Sequence, residues 1–376
     1  MQLPHRRHSV NTEVIKNNKH DKHNIVAQRP SDLTVGWAQR VVDNRLDGVI
    51  VSNVSITSLD IGTTTRVRLT VGHDGPSNLP RRWFVKLPSL AWRARLITAL
   101  PRLLHTEVRF YNEAARAVPA SIPDFLAAQS DSGRGATLVL QDVTESGATA
   151  GSPGDILEPE QATLVIEQLA RFHAHFWDKP DLVQTYRWLA RPVRRLEDCL
   201  GTALAVPLMK RGLRRAGQTV PSAIHALAVH YARHRSRIMR FLSDAPLTLI
   251  HHDCHPGNLF WNQSQPGLLD WQLVRFGEGI GDIAYFLATA LNPEVRRAHE
   301  ARLVADYAQK LRDYGVTQID NESLMQRYRA HLTYPFEAMV ISLAVGGMMK
   351  PESNYELIRR AAAAVEEHDA FAAIRI

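Results

Sequence analysis

Cysteine is scarce in this chain of 376 residues, which contains only Cys199 and Cys254. The two lie 55 positions apart without a CxxC motif, which argues against a disulfide framework and a zinc knuckle. No run approaches the roughly 18 apolar residues that a membrane-spanning helix needs. Charged and polar residues also stand where a secretory signal would be apolar. We therefore expect a cytoplasmic protein in a reducing compartment, with no membrane partner.

The composition is that of an ordinary globular protein, with 45% hydrophobic and 22% charged residues. Collagen-like, disordered and disulfide-scaffold classes are excluded by these values. The length is two to three times that of a common domain, which predicts two lobes or domains and a sizeable core. No feature of the sequence indicates an oligomeric state.

The net charge of +7 is concentrated in two segments. Residues 1–30 hold six Lys/Arg against Glu13 and Asp21, with four histidines and little periodicity, which is typical of a disordered basic tail. A second basic block, Arg187 to Arg240, holds twelve Lys/Arg against two acidic residues. A nucleic-acid-binding protein could use such segments, but neither has interleaved aromatic residues or a recognisable reading helix. We therefore do not expect a nucleic-acid partner.

Hydrophobic patterning divides the chain into a β-rich part and a helical part. Short apolar and β-branched runs broken by Gly, Pro, Asn and Asp extend from Gly48 to Val143, interrupted by one helix from Leu104 to Ala117. Asp32 is the expected N-cap of an opening helix. Helical patterns then cover residues 159–177, 220–242, 282–291, 294–314, 321–349 and 355–374. We predict an α+β fold, with a small β-rich N-lobe at 31–143 and a larger, mainly helical C-lobe at 144–376.

The segment that contains HHDCHPGNLF and LLDWQ carries the residue types that phosphoryl transfer requires. Asp253, Asn258 and Asp270 follow one another at spacings of five and twelve residues. Phosphoryl transfer needs a carboxylate that orients the acceptor hydroxyl and accepts its proton, and oxygen ligands that hold Mg²⁺ on the phosphates. A loop with an Asp and an Asn, followed by an Asp after a short hairpin, meets that need.

This pattern resembles the catalytic and metal-binding loops of the protein-kinase-like superfamily, especially the aminoglycoside phosphotransferase and choline kinase branch, whose loop reads HGDxHxGN. The resemblance is strongest to the ecdysteroid-kinase-like family. It extends over about residues 32–350 and includes DLTVGWAQRVV, EVRFYNEAA, LARFHAHFW and DWQ. The resemblance implies a bilobal protein-kinase-like fold, ATP and Mg²⁺ as cofactors, and a small-molecule hydroxyl as the phosphoryl acceptor. The choice between ATP and GTP stays open.

The resemblance also implies roles for residues of the catalytic segment. Asp253 would be the catalytic base, and Asn258 and Asp270 would be the Mg²⁺ ligands. His251 would support the catalytic loop, and Asp282 in GDIAYFLA would tie that loop to the following helix.

The same resemblance assigns a nucleotide site in the N-lobe. Lys86, at the end of WFVK, would contact the α- and β-phosphates and act in catalysis, and Glu107 would pair with it. The backbone of Leu138–Val143 would hold the adenine, and Ile61–Thr65 would be the phosphate-covering turn. The expected nucleotide contacts are Gly62, Thr63, Thr64, Lys86, Glu107, Leu140, Gln141 and Val143.

Two residues depart from the family pattern, since His252 replaces the usual Gly and Cys254 a usual apolar residue. A catalytically silent nucleotide-binding module of the same fold therefore stays open as an alternative. A zinc cluster of Cys254 with the neighbouring histidines is disfavoured, because the residues lack helical or knuckle spacing.

The chemical class of the acceptor is constrained by the charge distribution of the sequence. The basic block Arg187–Arg240 is expected to shape the acceptor side, and a like-charged wall repels a polycation. Apolar residues of this block would suit an apolar acceptor: Trp188, Leu189, Leu200, Leu204, Val206 and Leu208. We therefore expect a neutral, apolar or anionic alcohol, with an antibiotic (aminoglycoside or macrolide) phosphotransferase as the alternative.

Overall fold

The computed structural model describes residues 23–91, 103–131, 133–190 and 193–374, without the side chains of residues 190 and 193–197. Its first half is built on an antiparallel five-stranded sheet in the order β1-β2-β3-β5-β4. The strands are β1 (Val51–Ile61), β2 (Thr64–His73), β3 (Arg82–Pro88), β4 (Phe125–Asp131) and β5 (Gly135–Gln141).

The two faces of this sheet serve different purposes, because successive side chains of a strand point to opposite sides. Val67 and Val85 point outwards and pack with Trp37 of helix α1 (Val35–Asp43) in an apolar core. The opposite face turns towards helix α2 (Leu103–Glu113) and the second lobe. Charged side chains of β2 and β3 lie on this inner face, which places them between the lobes.

The start of the described chain is packed onto the sheet. Ile25 and Ala27 are each 2% exposed. The Ala27 N–H donates to Thr137 Oγ1 at 2.8 Å, and Trp37 Nε1 donates to the Ile25 carbonyl at 2.9 Å. The prediction of a disordered tail reaching residue 30 is therefore wrong from residue 24 onwards. Residues 1–22 of that tail lie outside the described residues.

Helix α1 begins two residues later than the sequence indicates. The Thr34 side chain accepts a hydrogen bond from the Trp37 N–H and is the N-cap. The Asp32 carboxylate accepts from the backbone N–H groups of Gln28 and Arg29, and Asp32 ends a 3₁₀ turn, Pro30–Asp32. The prediction of Asp32 as the N-cap of this helix was wrong.

The second half of the chain is mainly helical. Its helices are α3 (Pro159–Phe176), α4 (Pro180–Thr185), α5 (Arg187–Ala190), α6 (Val193–Ala216), α7 (Ser222–Arg233), α8 (Arg235–Phe241), α9 (Ile280–Ala290), α10 (Pro293–Asp313), α11 (Asn321–His331), α12 (Thr333–Val345) and α13 (Pro351–Glu367). Short strands lie between α8 and α9: β7 (Thr248–Ile250) pairs with β10 (Arg275–Gly277), and β8 (Leu259–Asn262) pairs with β9 (Gln265–Leu268). Strand β6 (Thr149–Ala150), which precedes α3, completes the sheet of β8 and β9.

This architecture confirms the predicted α+β class, with a smaller β-rich lobe and a larger helical lobe. Two predicted long helices are each divided: residues 220–242 form α7 and α8, and residues 321–349 contain α11 and α12. Within the described ranges, none of the helices combines the length and apolar character that crossing a bilayer requires.

Candidate active site

A cavity of about 730 Å³ lies between the two lobes. Predicted site residues on its wall are Thr63, Lys86, Leu140, Gln141, Val143, Asp253, Asn258 and Asp270. Behind this wall, Glu107 contacts Lys86 and His251 contacts Leu269, which both line the cavity, and Asp282 in turn contacts His251. The structure therefore brings together residues that are far apart in the sequence, such as Lys86 and Asp270, which are 184 positions apart.

A buried triad of charges joins the lobes at the back of the cavity. Lys86 Nζ lies 2.8 and 2.9 Å from the two carboxylate oxygens of Glu107 on α2, and 2.9 Å from Asp270 Oδ1. The Trp271 N–H also donates to Glu107, at 3.1 Å. Glu107 is thus fixed from both sides, and it holds the Lys86 ammonium against the segment that carries Asp270.

Because one lysine is shared by two carboxylates, the pKa values of the two carboxyl groups are shifted in opposite directions. Burial would lower the pKa of Lys86, but the charges of Asp270 and Glu107 outweigh burial and raise it. Burial also raises the pKa of Glu107, to about 7, against the opposing effect of Lys86 and with the help of Asp270. For Asp270 burial is outweighed, chiefly by Lys86 and to a lesser degree by Arg66, and the pKa is lowered. Asp270 is therefore the carboxylate that stays ionised.

The predicted catalytic loop is anchored by one buried carboxylate. The loop follows strand β7, and the N–H groups of His251 and His252 donate to the two oxygens of Asp282 at 2.7 and 2.8 Å. His173 Nε2 lies 3.2 Å from the same carboxylate, and His173 Nδ1 lies 2.9 Å from the Tyr307 hydroxyl. Burial would raise the pKa of Asp282, but the hydrogen bond and charge of His173 outweigh it and the pKa is lowered. Asp282 therefore fixes the course of the loop from helix α9.

Asp253 is held from two directions. The Tyr285 hydroxyl on α9 donates to Asp253 Oδ1 at 2.7 Å, and Asn258 Nδ2 donates to Asp253 Oδ2 at 2.9 Å. The loop itself is supported by His251, whose Nε2 lies 2.7 Å from the Leu269 carbonyl. Sequence reasoning missed Tyr285, because an aromatic residue in a helix has the pattern of a core residue. No signal in a single sequence links it to Asp253, 32 positions away.

His252 has a left-handed backbone conformation, with φ of 70°. This conformation is easily adopted by glycine and is costly for other residues, which gives a physical reason for the glycine usual in the family. The His252 ring stacks on Tyr334, with centroids 4.1 Å apart and planes at 18°. Cys254 is fully buried, and burial raises the pKa of its thiol, as expected for a core residue.

Asn258 and Asp270 form a donor set that fits Mg²⁺. Because Asn258 Nδ2 donates to Asp253, its amide oxygen is the atom available to a cation. Among the described residues, no cluster of three or more His, Cys, Asp or Glu forms a complete metal cage. Such an incomplete set is what Mg²⁺ uses when substrate phosphates and water supply its remaining oxygen ligands.

The predicted nucleotide-binding turn and hinge have clear positions. Gly62 and Thr63 connect β1 and β2, and the Gly62 N–H donates to the Thr64 carbonyl at 2.9 Å. In the hinge, the N–H groups of Gln141 and Asp142 donate to carbonyls of the lobe itself. Leu140 and Val143 line the cavity wall beside them, on the side where an adenine would bind.

The C-lobe contributes further apolar and polar residues to the cavity wall. They include Ala338, Met339, Met348, Met349 and Pro153, with the polar residues Ser152, Ser342, Lys350 and Ser353. No described residue of the basic block Arg187–Arg240 lines this cavity, although Arg215 lines a smaller one that shares Ser342 and Met349 with it. The expectation that this block shapes the acceptor side stays a prediction. Trp188 and Leu189, proposed for an apolar acceptor, are core residues instead.

A family comparison agrees with this arrangement. The model of the ecdysteroid kinase-like family matches residues 97–318, more than half of the chain. The chain belongs to this family. No curated protein sequence matches it.

Among solved structures, an ethanolamine kinase from Plasmodium vivax aligns with a TM-score of 0.50 at 12% identity, over 98% of this chain and 98% of that chain. A choline kinase from Cryptosporidium parvum gives 0.49 at 11% identity, over 96% and 97% of the two chains. The GDP complex of an aminoglycoside 2'-phosphotransferase gives 0.48 at 13% identity, over 89% and 97%. The first of these likenesses supports the fold, and identities this low support nothing beyond it.

Proposed function

We propose that this protein is a small-molecule kinase that transfers the γ-phosphoryl group of ATP to a hydroxyl group. The observation that carries the proposal is the convergence of Lys86, Glu107, Asp253, Asn258 and Asp270 on one cavity between the lobes. A fold does not define a function, whereas a set of residues with matching chemistry and geometry supports one.

Asp253 is the base in this proposal. Tyr285 and Asn258 each donate to one of its oxygens, which fixes the plane of the carboxylate. A carboxylate has about four lone-pair sites, so these two bonds leave room for a hydrogen bond from the acceptor hydroxyl. Asp253 would orient that hydroxyl towards the γ-phosphate and accept its proton during transfer.

The remaining residues would bind and align the nucleotide. Asn258 and Asp270 would hold Mg²⁺, Lys86 would contact the α- and β-phosphates, and Glu107 would keep Lys86 in position. When bound, the metal ion neutralises charge on the phosphate oxygens. Positioning and charge stabilisation account for most of the catalysis of phosphoryl transfer, and the chain supplies both.

The acceptor in this proposal is a neutral, apolar or anionic alcohol. Three methionines, Met339, Met348 and Met349, line the cavity, and Met adapts to irregular apolar ligands. Of the C-lobe carboxylates that line the described cavity, Asp253 and Asp270 are assigned to the base and the metal, and Lys350 adds a positive charge. A polycationic aminoglycoside would meet a wall without compensating charges.

Nucleotide binding can be tested by thermal stabilisation, because a ligand that binds the native state raises its melting temperature. ATP with Mg²⁺ should stabilise the wild type more than ATP alone. Asp270→Asn should remove the Mg²⁺-dependent part. Asp306→Asn, which changes an exposed carboxylate on α10, should retain it. An unchanged Mg²⁺ dependence in Asp270→Asn would contradict the ligand role of Asp270.

Transfer can be tested by ADP formation in the presence of neutral, apolar and anionic alcohols, with choline and an aminoglycoside as cationic comparisons. Asp253→Asn should reduce acceptor-dependent ADP formation by roughly 100-fold or more while ATP still stabilises the protein. Full activity in this variant would exclude Asp253 as the base. ATP binding by the wild type without transfer to any acceptor of the panel would favour the catalytically silent alternative.

A further inference from the structure

Strand register arranges the inner face of the N-lobe sheet in two rows across the strands. Directly paired residues of antiparallel strands have their side chains on the same face. One row contains Asp60, Arg66 and Lys86, on β1, β2 and β3 respectively. The next row contains Ser58, Arg68, Phe84 and Leu140. The rows are two residues apart along each strand, or about 6.8 Å.

The two rows lie at opposite ends of the nucleotide site. Leu140 belongs to the hinge, so its row lies at the adenine end. Lys86 belongs to the charged triad with Asp270, so its row lies at the phosphate end. Arg66 is the direct neighbour of Lys86 in that row and lines the cavity. It also reaches the predicted phosphate turn, since a Cβ atom added at Gly62 would lie 3.1 Å from its Nη2.

Two features create a need for a second cation at this position. The charge of Lys86 is already shared by two carboxylates, Glu107 and Asp270. Glycine-rich turns usually bind phosphates through free backbone N–H groups, but this turn has a single glycine, and its N–H donates to the Thr64 carbonyl. A triphosphate bound here therefore has to be neutralised mainly by side chains and the metal.

We propose that Arg66 is a second phosphate-binding cation of the nucleotide site, next to Lys86. This inference rests on the proposed function, because it assigns a residue to the same ATP site. Arg66 pairs with Asp60, whose side chain is 66% exposed, so the pair lies in a solvated and weak setting. Within the described chain, the Arg66 Nε is buried and has no hydrogen-bond partner, which leaves a donor for a phosphate oxygen.

The test is a titration of the full chain with adenosine, AMP, ADP and ATP in the presence of Mg²⁺. Arg66→Gln should bind ATP and ADP roughly ten- to a hundredfold more weakly than the wild type, since charge-assisted hydrogen bonds are lost. Adenosine binding should change less than about twofold. Arg66→Lys should recover part of the ATP affinity.

Arg68→Gln is the matched control. Arg68 lies in the adenine row and pairs with Asp142 at 2.8 Å, so its loss should affect the four ligands to a similar degree. ATP binding by Arg66→Gln within about threefold of the wild type would overturn the inference alone. Equal losses of adenosine and ATP would also overturn it. Failure of the wild type to bind any of the four ligands would overturn the proposed function together with the inference.

Asp60→Asn provides a second test that leaves Arg66 in place. The variant removes the partner carboxylate of Arg66 from an exposed position. If Arg66 binds phosphate, ATP affinity should be retained or increased, because the guanidinium no longer divides its hydrogen bonds. If the pair only supports the sheet, Asp60→Asn should weaken ATP and adenosine binding together, and the inference would then be wrong.

Discussion

Asp282 offers the sharpest test of how the catalytic loop is held, because it is fully buried and accepts two backbone hydrogen bonds. We consider Asp282→Asn, which preserves shape but replaces one acceptor oxygen with an NH₂ group. In either amide orientation, the N–H of His251 or His252 loses its acceptor. A buried N–H without an acceptor costs about 1–3 kcal/mol. The hydrogen bond that remains changes from charge-assisted to neutral, which costs roughly another 1 kcal/mol.

Relief of a buried charge does not offset this loss, since the lowered pKa of Asp282 shows that its surroundings favour the ionised form. The free energy of unfolding should therefore fall by about 2–4 kcal/mol, and the melting temperature by roughly 3–5 °C for a chain of this length. Urea unfolding and calorimetry would measure both values. Asp306→Asn, exposed on α10, should stay within about 0.5 kcal/mol of the wild type. A similarly small effect for Asp282→Asn would refute this account of the loop.

Three further predictions follow from the described contacts. Ile25→Asp should lower the free energy of unfolding, measured by urea titration, by about 2 kcal/mol or more, because the Ile25 side chain is only 2% exposed in the N-lobe core. An unchanged free energy would mean that this segment does not pack on the sheet in solution. His252→Gly should be about 1 kcal/mol more stable than His252→Ala, since both variants lose the stacked ring but only alanine is strained at a φ of 70°. Equal stability of the two variants would contradict the left-handed backbone conformation at this position. Between about pH 4.5 and 7, the folded protein should retain a proton on Glu107 that the unfolded chain releases. The stability of the wild type should therefore fall with rising pH, and Glu107→Gln should flatten this slope. An identical slope in both proteins would rule out the raised pKa of Glu107.

The local chemistry of the site was largely predictable from the sequence. Asp253, Asn258 and Asp270 belong to one short segment, so the sequence predicted that they lie close together, and all three line the same cavity. Lys86 and Glu107 could be placed only through their order along the chain and the resemblance to a family. Their contact depends on the packing of α2 against the sheet, which no local pattern encodes.

Other features were beyond the reach of local patterns. Helix α6 was not predicted, because it contains Pro207 and its charged residues mask an apolar stripe. The burial of Ile25 depends on partners more than 100 positions away, including Gln129, whose side chain accepts from the Ile25 N–H. The left-handed conformation of His252 was equally hidden, since a bulky residue does not predict it.

The register of the N-lobe sheet also limits how its sequence can change. In β2 and β3 the inner-face residues Arg66, Arg68, Phe84 and Lys86 have even numbers, and their odd-numbered neighbours fill the outer core. Deleting one residue inside either strand would reverse this parity beyond the deletion, burying cations and exposing valines. Length changes in the connection at residues 74–81 leave the parity within each strand intact. Insertions should therefore be tolerated in that connection, whereas insertions inside β2 or β3 should destabilise the fold.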